Sequence, residues 1–383
     1  MENSKSQKVQ QSLAEQIQDR TGFILEHNVA TLLEQQGWIV IHNRFYLDDV
    51  LAAQREIDLL VYKVREIDNI LVYTTLIISC KKSEFKDWIF LTRNAIGTKT
   101  NVDTVPFTYW TNSEVVNFQM KKAKFLDLKY CSKELLVKLN NLFDYENTVF
   151  GFREYDNKKQ GDKLVNDTGI YESIITLIKS QAYELESLPL RKKDQLSYYN
   201  INLLTVADVA KFIEIRCDQA ELMEKEISRI KYVNRFLVNK REHSSRIVFC
   251  KFTELPNIVE EYNILHEANC ETIFNAINTF YSKDIINAWE AREIILSNQA
   301  KGLMNSLKWE VRDKVQLAAD DFDNPYFNYD TKKELWVIEL NASEALIEFL
   351  THHKKALKIT SDWLKKHFRY TGNYAFAINE LPF

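Results

Sequence analysis

Two segments constrain this chain most: Arg55-Glu56-Ile57-Asp58-Leu59-Leu60-Val61-Tyr62 and Leu76-Ile77-Ile78-Ser79-Cys80-Lys81-Lys82-Ser83. Both are apolar runs with charged ends. The stretch between them contains Arg65-Glu66-Ile67-Asp68-Asn69, a charged turn closing on Asp-Asn. The pattern predicts a strand at 56–63, a hairpin connection, and a second strand from about Ile70 to Cys80. Alternate residues of a strand share a face, so Ser79 and Lys81 point one way and Cys80 the other. Glu56 and Asp58 likewise share a face. If the two strands are neighbours, Asp58 comes close to Lys81.

The rest of the chain alternates helix and strand patterns. Residues 10–37 read as a helix interrupted near Thr21-Gly22, with Thr21 placed to cap its second part and Gly37 to end it. Trp38-Ile39-Val40-Ile41 reads as a short buried strand and 48–54 as a loop or helical turn. The sixty residues after Phe90 show no clear period. An amphipathic helix follows from Asp167 to Leu185, then strands at 199–207, 227–238 and 246–252, and a helix starting near Leu255-Pro256. Helical segments near 271–279, 284–308 and 343–368 surround a strand at 335–340. The reading is α/β, with a mixed central sheet flanked by helices over 1–265 and a mostly helical C-terminal part over 266–383 containing a short strand pair.

Composition narrows the class. A hydrophobic fraction of 45% excludes a disordered protein, and only 8 Gly and 5 Pro in 383 residues disfavour turn-rich sandwiches and propellers. The five cysteines, Cys80, Cys131, Cys217, Cys250 and Cys270, are scattered with no C-x-x-C, so neither a disulfide framework nor a structural zinc site is indicated. The N-terminus is polar and no run is long enough to span a bilayer, which reads as a cytoplasmic protein without a membrane partner. A net charge of -4 leaves no global positive field, so a nucleic-acid surface must be a local cluster of Lys and Arg.

Order and motif together resemble the restriction-endonuclease-like superfamily, known by its PD-(D/E)xK motif. A helix carrying Glu26, then Gly37-Trp38, a strand with Glu56-Ile57-Asp58, and a strand with Ser79-Cys80-Lys81-Lys82-Ser83-Glu84 followed by Trp88-Ile89-Phe90 carry the likeness. It is strongest to the branch reading Glu-Cys-Lys-Lys-Ser on that strand. The resemblance covers about the first hundred residues by motif and extends to about 265 by element order. It implies a DNA endonuclease of restriction or defence type using Mg2+ or Mn2+. The metal would be held by Glu26, Asp58 and the Cys80 carbonyl, Lys81 would orient water or steady developing charge, and Ser79 stands where the family has an acid. Some members with Ser-x-Lys draw the missing acid from a following helix; Glu84 and Asp87 are the nearby candidates. A hydroxyl in that shell removes a negative charge and weakens metal binding. The alternative is an inactive nuclease fold serving as a DNA-binding or protein-interaction subunit.

Plainer readings stand beside these. The hairpin could be an ordinary edge with solvated ends, and Glu26 a solvent-facing helix residue. Lys81, Lys82, Lys86 and Arg93 could track a phosphate backbone or be a solvated face. Phe107-Thr108-Tyr109-Trp110 reads as core more readily than as a base-stacking platform. His352 and His353 diverge on a helix and would not chelate one ion. Asp320 to Asn324 lacks the spacing of a calcium loop. The substrate reads as DNA, with RNA not excluded, and the part after 265 as a recognition module, for a protein partner or a second copy of the chain.

Overall fold

The computed structural model describes residues 17, 21–48, 53–95, 107–122, 132–143, 147–161, 163–218, 221–238 and 241–379. The chain divides into one unit of residues 1–113 and 123–273 and another of 114–122 and 274–383. The division thus falls at 273/274 rather than 265/266, inside a continuous helix, and a short segment from the first third of the chain joins the second unit. Neither feature has a signature in composition, because a helix that passes from one core to the next keeps its period.

The first unit begins with α1 (Phe23–Gln35), then β1 (Ile39–Asp48), β2 (Ala53–Ile67), β3 (Ile70–Asn94) and β4 (Tyr109–Thr111). After α2 (Glu114–Lys122), which belongs to the second unit, come helical turns at 133–138 and 140–143, β5 (Asn147–Asp156) and β6 (Leu164–Val165). Next are α3 (Thr168–Arg191), β7 (Ser197–Arg216), β8 (Met223–Ile227), β9 (Arg229–Val238), β10 (Arg241–Lys251) and α4 (Leu255–Thr279). The spine of the sheet runs β1-β2-β3-β7-β10-β9. β1, β2 and β3 are successively antiparallel, β3, β7 and β10 are parallel, and β9 is antiparallel to β10. Parallel neighbours need a crossover. The chain between β3 and β7 supplies one that includes α3.

Both faces of the sheet are covered, which is why Leu76–Cys80 and Leu203–Ala207 are nearly continuous apolar runs. On one face Leu25, Val29 and Leu33 of α1 and Ile258, Tyr262 and Leu265 of α4 pack on Leu59, Val61, Leu76, Ile78 and Cys80. On the other, Ile170, Ile174, Leu177 and Ile178 of α3 pack on Leu60, Ile77, Leu203, Ala207 and Phe249. Each such side chain contributes about 1.5–3 kcal/mol when fully buried. Shortening Leu33, which is wholly enclosed, to Ala would cost about 3 kcal/mol.

The hairpin at the head of the sheet is tighter than its sequence suggests. Asp68 and Asn69 both take positive φ, 53° and 64°, the conformation of a two-residue connection whose twist matches the strands. Strands also run longer than expected. β3 continues through the polar Lys82–Lys86 to Asn94 because β7 and β5 pair with its far half. There Trp88 stacks on Phe212 with ring centres 5.6 Å apart, and Phe90 and Phe249 close the cluster. The strand expected at 227–238 is β9, with Ile227 ending the separate β8, and part of the loop expected at 48–54 is strand, with 49–52 outside the described residues. Thr21 does not cap α1. Its hydroxyl donates back to the Ile17 carbonyl, and Gly22 holds the N-cap position without a side-chain cap. Gly37 ends the helix as expected, at φ 76° with its amide on the Glu34 carbonyl. Most of the stretch expected as helix before Thr21 lies outside the described residues.

The second unit holds α2, a turn of π-helix at 280–284, α5 (Trp289–Val311), β11 (Tyr326–Asp330), β12 (Leu335–Leu340), α6 (Glu344–His352), α7 (Lys354–His367) and β13 (Tyr374–Ile378). Its sheet has three strands, not a pair: β12 is antiparallel to β11 and parallel to β13. The helix expected over 343–368 breaks at His353, whose extended ψ of 103° ends α6 and whose ring accepts the Ala356 amide to start α7. His352 bonds back to the Glu348 carbonyl. The two imidazoles therefore do separate structural work.

Candidate functional site

The site grows from a fork in the sheet. β2 and β3 pair from Ile67↔Ile70 to Leu59↔Ile78 and then part. Beyond that point β2 stays with β1, while β3 stays with β7 through Ser79↔Thr205 and Lys81↔Ala207. The first residue past the split on β2 is Asp58, whose carboxylate accepts the Cys80 N–H at 2.7 Å, so a side chain bridges the two strands where the ladder has stopped. Across the outer edge, Asn43 on β1 has φ 50°, interrupts the pairing between His42↔Leu59 and Arg44↔Ile57, and donates from Nδ2 to Glu56.

Three charged groups named from sequence meet at this fork. Burial raises the Asp58 carboxyl above its usual range, opposed by the Cys80 N–H, the Lys81 ammonium and the nearby Ser79 hydroxyl. Burial also raises Glu26 of α1, with the Asp58 and Glu56 charges adding to it and Lys81 opposing. The action of Asp58 and Lys81 on Glu26, and of Lys81 on Asp58, puts the three within one electrostatic neighbourhood. Cys80 is held far above the ordinary thiol range by burial in the α1 face and stays a neutral thiol. Its amide, bonded to Asp58, is the part that touches the site.

Ser79 is 2% exposed, and its hydroxyl lies beside the Asp58 carboxylate, where it favours the charged form. Lys81 reaches towards the α3 face, with Nζ 4.0 Å from Glu172. Glu172 was not singled out from sequence. It sits in the first turns of a helix the sequence does show, but nothing in the sequence says which strand end that helix covers. Asn43 and its bond to Glu56 were missed for a similar reason, since positive φ at a mid-strand Asn leaves no periodic trace.

Other expectations come out differently. Glu84 is exposed and ion-paired with Lys82 at 2.8 Å, and Asp87 is buried further along β3 with Oδ1 unpartnered. The carboxylates acting on Glu26 are Asp58 and Glu56, not these. Lys86 is held at 2.6 Å by Glu154, which in turn accepts the Gly169 amide at 2.6 Å and anchors the start of α3. Lys82 and Lys86 are therefore each paired with a carboxylate. Phe107 stacks on Phe143 and Trp110 packs at a tilt against Tyr199, in keeping with the core reading.

A magnesium site needs hard oxygen donors and accepts as few as one or two carboxylates with water completing the shell. Asp58 and Glu26 supply that chemistry, and their raised carboxyls, Asp58 lifted chiefly by burial and Glu26 by burial and the Asp58 and Glu56 charges, would be relieved by a cation. Among the described residues no three His, Cys, Asp or Glu side chains lie close enough together to hold a metal. Among the described residues, too, no helix is long and apolar enough to cross a membrane. The chain matches no known protein family, no curated protein and no solved structure.

Proposed function

We propose that this chain is a metal-dependent nuclease that hydrolyses phosphodiester bonds in DNA, of the kind used in restriction or defence, acting in the cytoplasm. The observation that carries the reading is the fork: an acid from β2 and an acid from α1 share one field with a lysine from β3, where the β2–β3 ladder stops. The order of α1, three antiparallel strands, a crossover containing α3 and a parallel strand also supports the resemblance to restriction-endonuclease-like proteins.

Asp58 and Glu26 would hold Mg2+ or Mn2+, and the bound ion would acidify a water and offset charge on the phosphate. The residues of the chain do the rest. Lys81 Nζ steadies the oxyanion or orients the attacking water. The Cys80 N–H holds the Asp58 carboxylate in place. Glu172, with its carboxylate 4.0 Å from Lys81 Nζ, helps aim the ammonium. The second unit serves as the module that recognises a target, a partner or another copy.

The test is incubation of the purified chain with plasmid and with single-stranded DNA and RNA in Mg2+ or Mn2+, beside Asp58→Ala and Lys81→Ala. Cleavage by the wild type and its loss in both variants supports the enzyme; cleavage that survives both variants overturns it. A second reading, an inactive nuclease fold that binds DNA or a protein, is favoured by Ser79 in the acid position. It is preferred if the wild type neither cleaves nor binds metal by calorimetry.

A further inference from the structure

A cavity of about 260 Å³ lies in the first unit, away from the fork, where the end of β7, β9, the middle of β10 and α4 meet the turn at 140–143. Aliphatic side chains, Ile227, Ile230, Val248 and Ile258 among them, share its wall with polar ones: Glu214, Glu261, Arg229, Lys231, Asn141 and Asn147. Glu261 is 9% exposed, Arg229 binds its Oε1 at 2.7 Å, and its Oε2 is buried with no partner. Glu214 is 7% exposed and takes the Thr92 hydroxyl at 2.8 Å and the Asn147 amide at 3.2 Å on a single oxygen, Oε1. Leaving a buried carboxylate oxygen unpaired is costly, and native structures rarely do so without a reason.

The lining selects its ligand by exclusion. Two carboxylates disfavour an anion, while Arg229 together with Lys231, also in the wall, disfavours a cation. A neutral molecule with N–H donors for the carboxylates and an acceptor for Arg229 or Asn147 fits both. The volume is below the roughly 300–1,000 Å³ of pockets for drug-sized ligands, which limits the occupant to about one ring system. Aliphatic walls suit the faces of a flat heterocycle.

We propose that this cavity binds a guanine base, as the free nucleoside or nucleotide. The N1–H and N2–H edge meets the carboxylates, with Glu261 turning about its last torsion to present Oε2, and O6 faces Arg229. This assignment does not depend on the nuclease reading.

The test uses the wild-type full chain and a ligand series, so no variant has to fold. Titration calorimetry or thermal-shift with guanosine, inosine, 1-methylguanosine, adenosine and cytidine should rank guanosine first. Inosine lacks the N2 donor and 1-methylguanosine the N1 donor, and each should bind about tenfold or more weaker, the loss expected when a hydrogen bond to a charged group is removed. Glu261→Gln should weaken guanosine by a similar factor while leaving DNA cleavage at the fork unchanged. Equal binding of guanosine and 1-methylguanosine, preference for adenosine or cytidine, or no binding of guanosine at millimolar concentration would overturn the proposal.

Discussion

Two carboxylates in this molecule show opposite solutions to the same electrostatic problem. In the second unit Glu310 of α5 is gripped by Lys314 and Lys355, each at 2.6 Å, and its carboxyl is drawn down to about 2. In the first unit Asp58 and Glu26 lie near one another with a single shared ammonium, and both are pushed up. The Glu310 arrangement is a fastening. The Asp58 arrangement is a strain, since the sheet forks where pairing would otherwise continue and the chain places acid against acid. Strain of this kind is common where a site is built to receive something positive.

The largest expected effect breaks the comparison by removing the strained charge. Asp58→Asn keeps an oxygen to accept the Cys80 N–H but loses the charge, and cleavage should fall by about two to three orders of magnitude, the usual result of deleting a group that stabilises transition-state charge. Glu310→Gln should leave cleavage unchanged. A gel-based nicking assay on both variants reads this directly, and equal activity in wild type and Asp58→Asn would sink the site.

Metal comes next. If a cation relieves the fork, Mg2+ at tenfold its dissociation constant should stabilise the wild type by about 1.4 kcal/mol. Asp58→Asn and Glu26→Gln should abolish that gain, and Glu310→Gln should retain it. Ser79→Glu sharpens the same point. With a third carboxylate at the fork, the Mg2+ concentration giving half the thermal shift should drop by about tenfold or more. An unchanged midpoint would mean that position 79 does not face the ion.

The sequence revealed the fork more readily than it revealed its surroundings. Asp58, Ser79 and Lys81 were legible because strand parity is strict, and Glu26 because a lone acid interrupts an apolar helical face. Glu172 was not, since a crossover helix declares its own period but not the strand end it covers. The far half of β3 was also hidden: Lys82-Ser83-Glu84-Phe85-Lys86 looks like a turn, and only the partners β5 and β7 on either side make it a strand. The three-stranded sheet of the second unit was under-read for a similar reason, because β13 pairs with β12 from beyond two helices.

The smallest effect separates strain from fastening by its dependence on pH. Asp58 has a raised carboxyl in the folded state, so its charge opposes folding at neutral pH, and that penalty disappears as pH falls through the raised value and below the ordinary 3.8. Asp58→Asn should therefore be more stable than wild type by about 1 kcal/mol at pH 7, with the gain shrinking on acidification. Glu310 is the reverse. Its carboxyl is lowered to about 2 from an ordinary 4.5, so its stabilisation is fully present above 4.5 and is lost as pH falls towards 2. Glu310→Gln should melt earlier than wild type at pH 7, and the two should converge only at about pH 2 and below. Thermal melts of the three proteins from pH 7 to about pH 2 thus yield two difference curves of opposite sign that both close on the acid side. If the Asp58→Asn curve instead lies below wild type at pH 7, the carboxylate at the fork is a fastening like Glu310, and the case for a site waiting on a cation fails with it.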